Sequence, residues 1–272
     1  MVNQDLSKII LGTWRFSGAY FGKDSEEDSL AVIRKAAELG IRSFDSAYFY
    51  GQGVAMKRMQ KALKDFQRTD LLFYAKGGLV WKGRKVEKKM NFVALKEDLY
   101  KSLEALKTDY LDSYFFHWPP TFESLPACYE QLEKIKKTGL VKNIGFCNLS
   151  CQASIRLLNK KQNLFFQQAH SLLRPLSLEL KKAIGEEKLI LHSLFEQGLL
   201  FANSARHYGK KDVRRRHPLF LTPELQQFQE LSKLKQSPRM LFEIYKKDFP
   251  EAKLCIGPKN CNQLEQLLSN NL

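Results

Sequence analysis

The sequence predicts a (β/α)8 barrel, with residues 1–272 forming one domain. Three observations carry the prediction. Eight short apolar, β-branched or aromatic runs are separated by amphipathic stretches of helical length. The runs are almost continuously apolar, as expected of parallel strands buried on both faces. The chain has 272 residues, close to the ~250 that such a barrel uses. Right-handed crossovers and the count of eight favour closure over an open doubly wound sheet.

The first run is KIILGT (8–13). EEDSLAVIRKAAELG follows, with Leu30, Ile33, Ala37 and Ile41 near one face and Gly40 as its stop. SFDSA (43–47) is the second run and LLFYAK (71–76) the third. Next comes NFVALKEDLYKSLEALK, apolar at Val93, Leu95, Leu99, Leu103 and Leu106. YLDSYFFH (110–117) leads into ESLPACYEQLEKIKKTG, which ends at Gly139. NIGFCN (143–148), LFFQQAH (164–170), LILHSL (189–194) and AKLCIG (252–257) complete the set. The longest irregular stretch, FANSARHYGKKDVRRRHP, follows the seventh run and leads to an expected helix at PELQQFQELSKLK. A long loop at that place is functional rather than a linker.

Composition limits the function classes. Apolar residues make up 44% of the chain and charged residues 27%, which fits a globular protein. No run of 18 apolar residues is present, and the N-terminus lacks a basic segment followed by a long apolar one, so neither a span nor a signal peptide is expected. Cys128, Cys147, Cys151, Cys255 and Cys261 form no disulfide or zinc spacing, which points to reduced thiols in the cytoplasm. The formal net charge is +15, but the basic residues are scattered, with runs only at 82–89 and 214–216. They read as solvated surface with some attraction for a phosphorylated ligand, and no nucleic-acid or membrane partner is expected.

In a barrel of this kind the active site lies at the C-terminal ends of the strands. Asp45 lies in the second strand, with Tyr50 just beyond it. Lys76, His117 and Asn148 end the third, fourth and fifth, Gln167 and His170 the sixth, and His192 lies in the seventh. Buried Asp and Lys need partners. A Lys76 ammonium beside Tyr50 is expected to lower the pKa of a phenol that ordinarily titrates near about 10. Asp45 would compensate the burial of Lys76, and His117 would polarise a carbonyl oxygen or tune the tyrosine. Such a tyrosine serves as general acid in carbonyl reduction and as base in reverse. The same residues would also suit a buried Asp–Lys ion pair with a structural histidine.

FDSAYFYG, YAKGG, LKTDYLDSYFFHWP, IGFCNLS, FFQQAHSLLR, LFEQGLL and CIGPKN…QLEQLL occur in this order across nearly the whole chain. Together they resemble the successive motifs of the aldo-keto reductase family. The resemblance implies NAD(P)H-dependent reduction of an aldehyde or ketone, with a catalytic set at Asp45, Tyr50, Lys76 and His117. It places Asn148 and Gln167 on the nicotinamide carboxamide, with Cys147 and His192 beside them. Lys259, Asn260 and Gln263 match the adenosine-phosphate segment, and Trp14 and Trp118 match aromatics on the substrate side. Tyr48 reads as packing or pocket lining. The family uses no Rossmann glycine fingerprint, and this chain has none.

The chain departs from the family pattern at several positions. Cys147 stands where Ser is usual, which replaces a hydroxyl partner with a weaker thiol. His192 stands where many members stack a Tyr on the nicotinamide. Gln263 stands where some carry an Arg on the 2′-phosphate, so NADPH is expected with NADH possible. Ala55 replaces a common Glu, affecting local packing, and the chain stops soon after the last expected helix, which implies a more open, less selective pocket or one completed by a partner chain. Two other functions compete. One is a metal-dependent hydrolase on His117, His170 and His192, disfavoured by the lack of paired ligands; a metal is not expected. The other is a catalytically weak NAD(P)H-binding regulator or sensor on the same barrel, motivated by Cys147 and His192.

Overall fold

A computed structural model describes residues 5–22, 25–82, 85–89, 91–119, 121, 123–158, 164–201, 212–216 and 237–269. The described strands are β1 (Ile9–Gly12), β2 (Ser43–Asp45), β3 (Leu72–Gly77), β4 (Leu79–Lys82), β5 (Lys85–Lys88), β6 (Leu111–Phe116), β7 (Val141–Cys147), β8 (Phe165–Ala169), β9 (Leu189–His192) and β10 (Lys253–Ile256). The described helices are α1 (Glu26–Glu38), α2 (Val54–Leu63), α3 (Phe92–Leu106), α4 (Leu125–Lys136), α5 (Cys151–Leu158), α6 (Leu178–Ile184), α7 (Pro238–Asp248) and α8 (Cys261–Leu268). The helix expected at 223–235 lies outside the described residues. Among the described residues, no helix is long and apolar enough to cross a membrane.

Eight strands close a parallel barrel in the order β1-β10-β9-β8-β7-β6-β3-β2, and β2 pairs back with β1. The eight runs expected from the sequence are these strands. Strand alternation sorts their residues into two cores. Phe73 and Ala75 of β3, Tyr114 and Phe116 of β6, and Leu189 and Leu191 of β9 join the large cluster shared with the helices. Ile10, Tyr74, Phe115, Cys147 and Ile190 form a second, smaller cluster with Leu72, Phe165 and Cys255 packed against it. That second set fills the barrel interior.

The interior parity continues upward into polar residues. One step of two beyond Tyr74 is Lys76, beyond Ser43 is Asp45, beyond Phe115 is His117, beyond Phe165 is Gln167, and beyond Ile190 is His192. The layer above the apolar interior is thus built of titratable and amide side chains at the C-terminal ends of the strands.

Residues 77–89, which belong to none of the eight expected runs, contain β4 and β5, which form a two-stranded antiparallel hairpin outside the barrel. Its few β-branched residues sit among lysines, so the strand signal is weak. The hairpin places Trp81 over the mouth.

Candidate active site

Asp45 and Lys76 come from β2 and β3, which are adjacent in the barrel. Both side chains are about 5% exposed or less and form a salt bridge through Asp45 Oδ1. Tyr50 stands on the β2–α2 loop, where its N–H donates to the Ala47 carbonyl (2.9 Å). The next residue, Gly51, has φ of 64°, and a Cβ there would lie 2.2 Å from the Ser17 carbonyl oxygen. Only glycine lets the loop approach the turn after β1 this closely. The loop thereby brings the Tyr50 hydroxyl to 3.3 Å from Lys76 Nζ and 3.4 Å from His117 Nε2.

The electrostatics differ from the expectation in one respect. Tyr50 was expected to have a lowered pKa, but it is pushed well above the usual phenol value. Burial is the largest cause, the Lys76 charge pulls back without cancelling it, and the Asp45 carboxylate adds to the rise. Tyr50 therefore stays protonated, the form a general acid needs. For Lys76 burial opposes the charge most strongly, yet Asp45, Tyr50 and Cys147 together hold its pKa above the ordinary value. Burial, then the Lys76 charge, then His192 keep His117 well below the usual imidazole range, so it is neutral.

A second ring of contacts surrounds the first. Gln167 Nε2 donates to Asp45 Oδ2 (3.1 Å), and Cys147 Sγ donates to Gln167 Oε1 (3.1 Å). Burial raises the Cys147 pKa, so the group stays a thiol and serves as a hydrogen-bond donor. Asn148 Nδ2 donates to the His117 carbonyl (3.1 Å), and its Oδ1 faces His192 Nε2 (3.1 Å). An amide side chain offers two donors and two acceptors. Asn148 and Gln167 each use one of either kind on described partners, leaving capacity that fits a nicotinamide carboxamide.

The other expected site residues lie farther out. Trp14 packs with its ring centroid 6.2 Å from that of Tyr50. Trp118 is exposed, with Lys88 Nζ 5.9 Å from its ring centroid. Tyr48 packs against the main core rather than joining the cluster around Tyr50, and its ring lies beside Gly53. Asn260 caps α8 by accepting the Gln263 N–H (2.9 Å), while Gln263 Oε1 accepts the Lys259 N–H (2.7 Å). Lys259 is exposed beside this turn. His170 is not part of the group. Its Nδ1 accepts the Leu176 N–H (3.0 Å), and its ring packs edge-on against Tyr245 and Phe249. Three histidines at strand ends therefore do not converge. Among the described residues, no cluster of three or more His, Cys, Asp or Glu could hold a metal ion.

Sequence reasoning missed an aromatic wall. Phe49 stacks on Trp81 (4.8 Å, 7° between planes) and meets His117 edge-on at 6.1 Å. Tyr20 donates its hydroxyl proton to the Phe49 carbonyl (3.3 Å). The aromatic density of AYFYG hinted at Phe49. Trp81 gave no signal because its hairpin was not read.

The Aldo/keto reductase family model matches residues 8–246. Aldo-keto reductase YhdN of Bacillus subtilis is 27% identical over 286 residues, covering 97% of this chain and 84% of that protein. An NADH-specific methylglyoxal reductase of Escherichia coli is 28% identical over 221 residues, covering 75% of this chain and 68% of that protein. Among solved structures, a glycerol dehydrogenase from Gluconobacter oxydans superposes with a TM-score of 0.78 at 20% identity, covering 100% of this chain and 89% of that one. That likeness shows the shared fold. With a closed eight-stranded barrel and a family match over most of its length, this chain belongs to the aldo/keto reductase family.

Proposed function

We propose that Tyr50 is the proton donor in carbonyl reduction, with Lys76, Asp45 and His117 as its catalytic partners. The family is one of NAD(P)H-dependent oxidoreductases that reduce small carbonyl compounds. The observation that carries the assignment is the Tyr50 hydroxyl, shared between Lys76 Nζ and His117 Nε2 at 3.3 and 3.4 Å. Held by Asn148 and Gln167, reduced nicotinamide would supply the hydride that the carbonyl carbon accepts. Tyr50 gives its proton to the oxygen that becomes an alkoxide. Lys76 stabilises the phenolate left behind, and Asp45 holds the ammonium charged and in place. Neutral His117 stands beside the same hydroxyl, where an imidazole N–H orients the carbonyl oxygen. Substituting Tyr50→Phe is expected to lower reduction by about 10²–10⁴-fold while cofactor binding, followed by fluorescence titration, survives. Unchanged turnover would overturn the assignment.

Asn148, Gln167, Cys147 and His192 form the nicotinamide side of the site in this reading, and Lys259, Asn260 and Gln263 the adenosine side. Lys259 is exposed and cationic, which favours a 2′-phosphate and so NADPH. Gln263 is occupied with the backbone of Lys259 and adds no charge, so NADH also serves. Trp14, Trp118 and the Phe49–Trp81 stack shape the substrate side, with Tyr48 behind it in the packing. Because one relative is a methylglyoxal reductase, small α-oxoaldehydes are the first class to assay, with both cofactors in parallel. Residues 1–272 form one domain in this reading, and its five cysteines, none of them in a disulfide, suit the reducing cytoplasm.

A further inference from the structure

At the end of β9, His192 reaches past β8, its neighbour in the barrel, to the side chain of Asn148 at the end of β7. The direction of each hydrogen bond follows from chemistry. A backbone carbonyl only accepts, so the contact to the His117 carbonyl must come from the amide nitrogen of Asn148. The amide oxygen then faces His192 Nε2, and that nitrogen must carry the proton. A neutral imidazole has one N–H, so His192 Nδ1 is the acceptor for the Ser193 hydroxyl at 2.9 Å. Burial, then Lys76 and Arg174, pull the His192 pKa down to about 3, which keeps the ring neutral.

The result is a directed chain of hydrogen bonds: Ser193 hydroxyl to His192, His192 to Asn148, and Asn148 to the His117 carbonyl. It links the ends of β9, β7 and β6. Asn148 and Ser193 both adopt positive φ, 59° and 60°. Non-glycine residues hold that region when their surroundings over-determine it, and these side-chain bonds help to do so. Without the His192 contact, the Asn148 amide keeps only its bond to the His117 carbonyl to hold its orientation.

We propose that His192 is a positioning residue that acts through Asn148: its Nε2–H fixes the amide so that the remaining N–H and lone pair of Asn148 are presented to the nicotinamide carboxamide. The inference rests on the cofactor site proposed above. It differs from a stacking role, which a ring without nitrogen would fill equally well.

The test is a fluorescence titration of NADPH against four variants: His192→Phe, His192→Gln, Asn148→Ala and the double variant His192→Phe/Asn148→Ala. Thermal melting confirms that each is folded. His192→Phe is expected to weaken NADPH binding by about 3- to 10-fold, the worth of a typical hydrogen bond. His192→Gln, which keeps an N–H donor, recovers most of the loss. In the Asn148→Ala background, His192→Phe has no further effect. Imidazole nitrogen shifts of His192 report the Nε2–H tautomer at neutral pH. Unchanged or tighter binding by His192→Phe, an equal loss in the Asn148→Ala background, or an Nδ1–H tautomer would each overturn the proposal. Normal NADPH affinity of Asn148→Ala would overturn the cofactor-site reading beneath it.

Discussion

Lys76 shows how one side chain links stability to chemistry. Its ammonium is almost fully buried, and the Asp45 carboxylate beside it is equally buried. Such a pair contributes little net stability, but removing one partner leaves the other as an uncompensated charge. Lys76→Met is therefore expected to lower unfolding free energy by about 3–5 kcal/mol, measured by urea denaturation. It should also reduce turnover by about 10²-fold or more, since Tyr50 then loses the charge that accepts its phenolate. The pH dependence of reduction has a definite sign. A general acid works while protonated, and Tyr50 holds its proton above the ordinary phenol value. Reduction should stay level through neutrality and fall only in strongly alkaline solution. His117 and His192 are already neutral, so no inflection is expected near the usual imidazole value of about 6.5. An inflection there, in steady-state rates against pH, would show that a histidine carries the essential proton.

Element geometry decides where these side chains point. Strand parity alone lifts Asp45, Lys76, His117, Gln167 and His192 onto the interior face, one step above an apolar layer. The end of β3 is held by close packing as well. A Cβ at Gly77 would lie 1.8 Å from the Tyr114 hydroxyl, which itself donates to the Leu95 carbonyl of α3 (3.0 Å). The next residue, Gly78, donates its N–H to Asp98 of α3 (2.9 Å). Helix α3 thus anchors the strand end just beyond Lys76. Gly77→Ala should cost about 1–3 kcal/mol through overpacking, seen as a lower melting temperature. Adding Tyr114→Phe should recover part of that loss by removing the hydroxyl. No recovery in the double variant would show that the strain lies elsewhere. At α8, Asn260 caps the helix start by accepting the Gln263 N–H, and Gln263 in turn accepts the N–H of the preceding Lys259. Residues expected on the adenosine side therefore also fix the backbone that would carry it.

At the scale of the whole molecule, closure of the sheet buries His117 and His170 and partly buries His192, all three in neutral form. His170 is pulled down to about 4 by burial first, with Lys181 opposing its charge and Asp248 and Glu196 favouring it. His192 is down to about 3, and His117 is also well below its ordinary value. An unfolded histidine titrates near about 6.5, so below that pH the unfolded chain binds more protons than the native one. Their contribution is fully present above about 6.5 and is lost as pH falls toward the native values. Each can add a slope of up to about 1.4 kcal/mol per pH unit in that window. Urea unfolding as a function of pH should show stability falling below about 6.5, with a smaller slope in His170→Gln. A flat profile between pH values of about 4 and 7 would contradict this reading of the histidines.

Periodicity, the count of apolar runs and the ordered motifs were enough to read the barrel and to bring Asp45, Tyr50, Lys76 and His117 into one candidate site. Those signals are local, because a strand's period and a strand's end can be seen within a few residues. The hairpin carrying Trp81, the separation of His170 from His117 and His192, and the Phe49 wall could not be read in the same way. Each depends on which loops meet across the barrel mouth. The sign of the Tyr50 shift also had to await the folded chain. A neighbouring lysine and burial act on the phenol in opposite directions, and only closure of the barrel sets how much water is lost and so which effect wins.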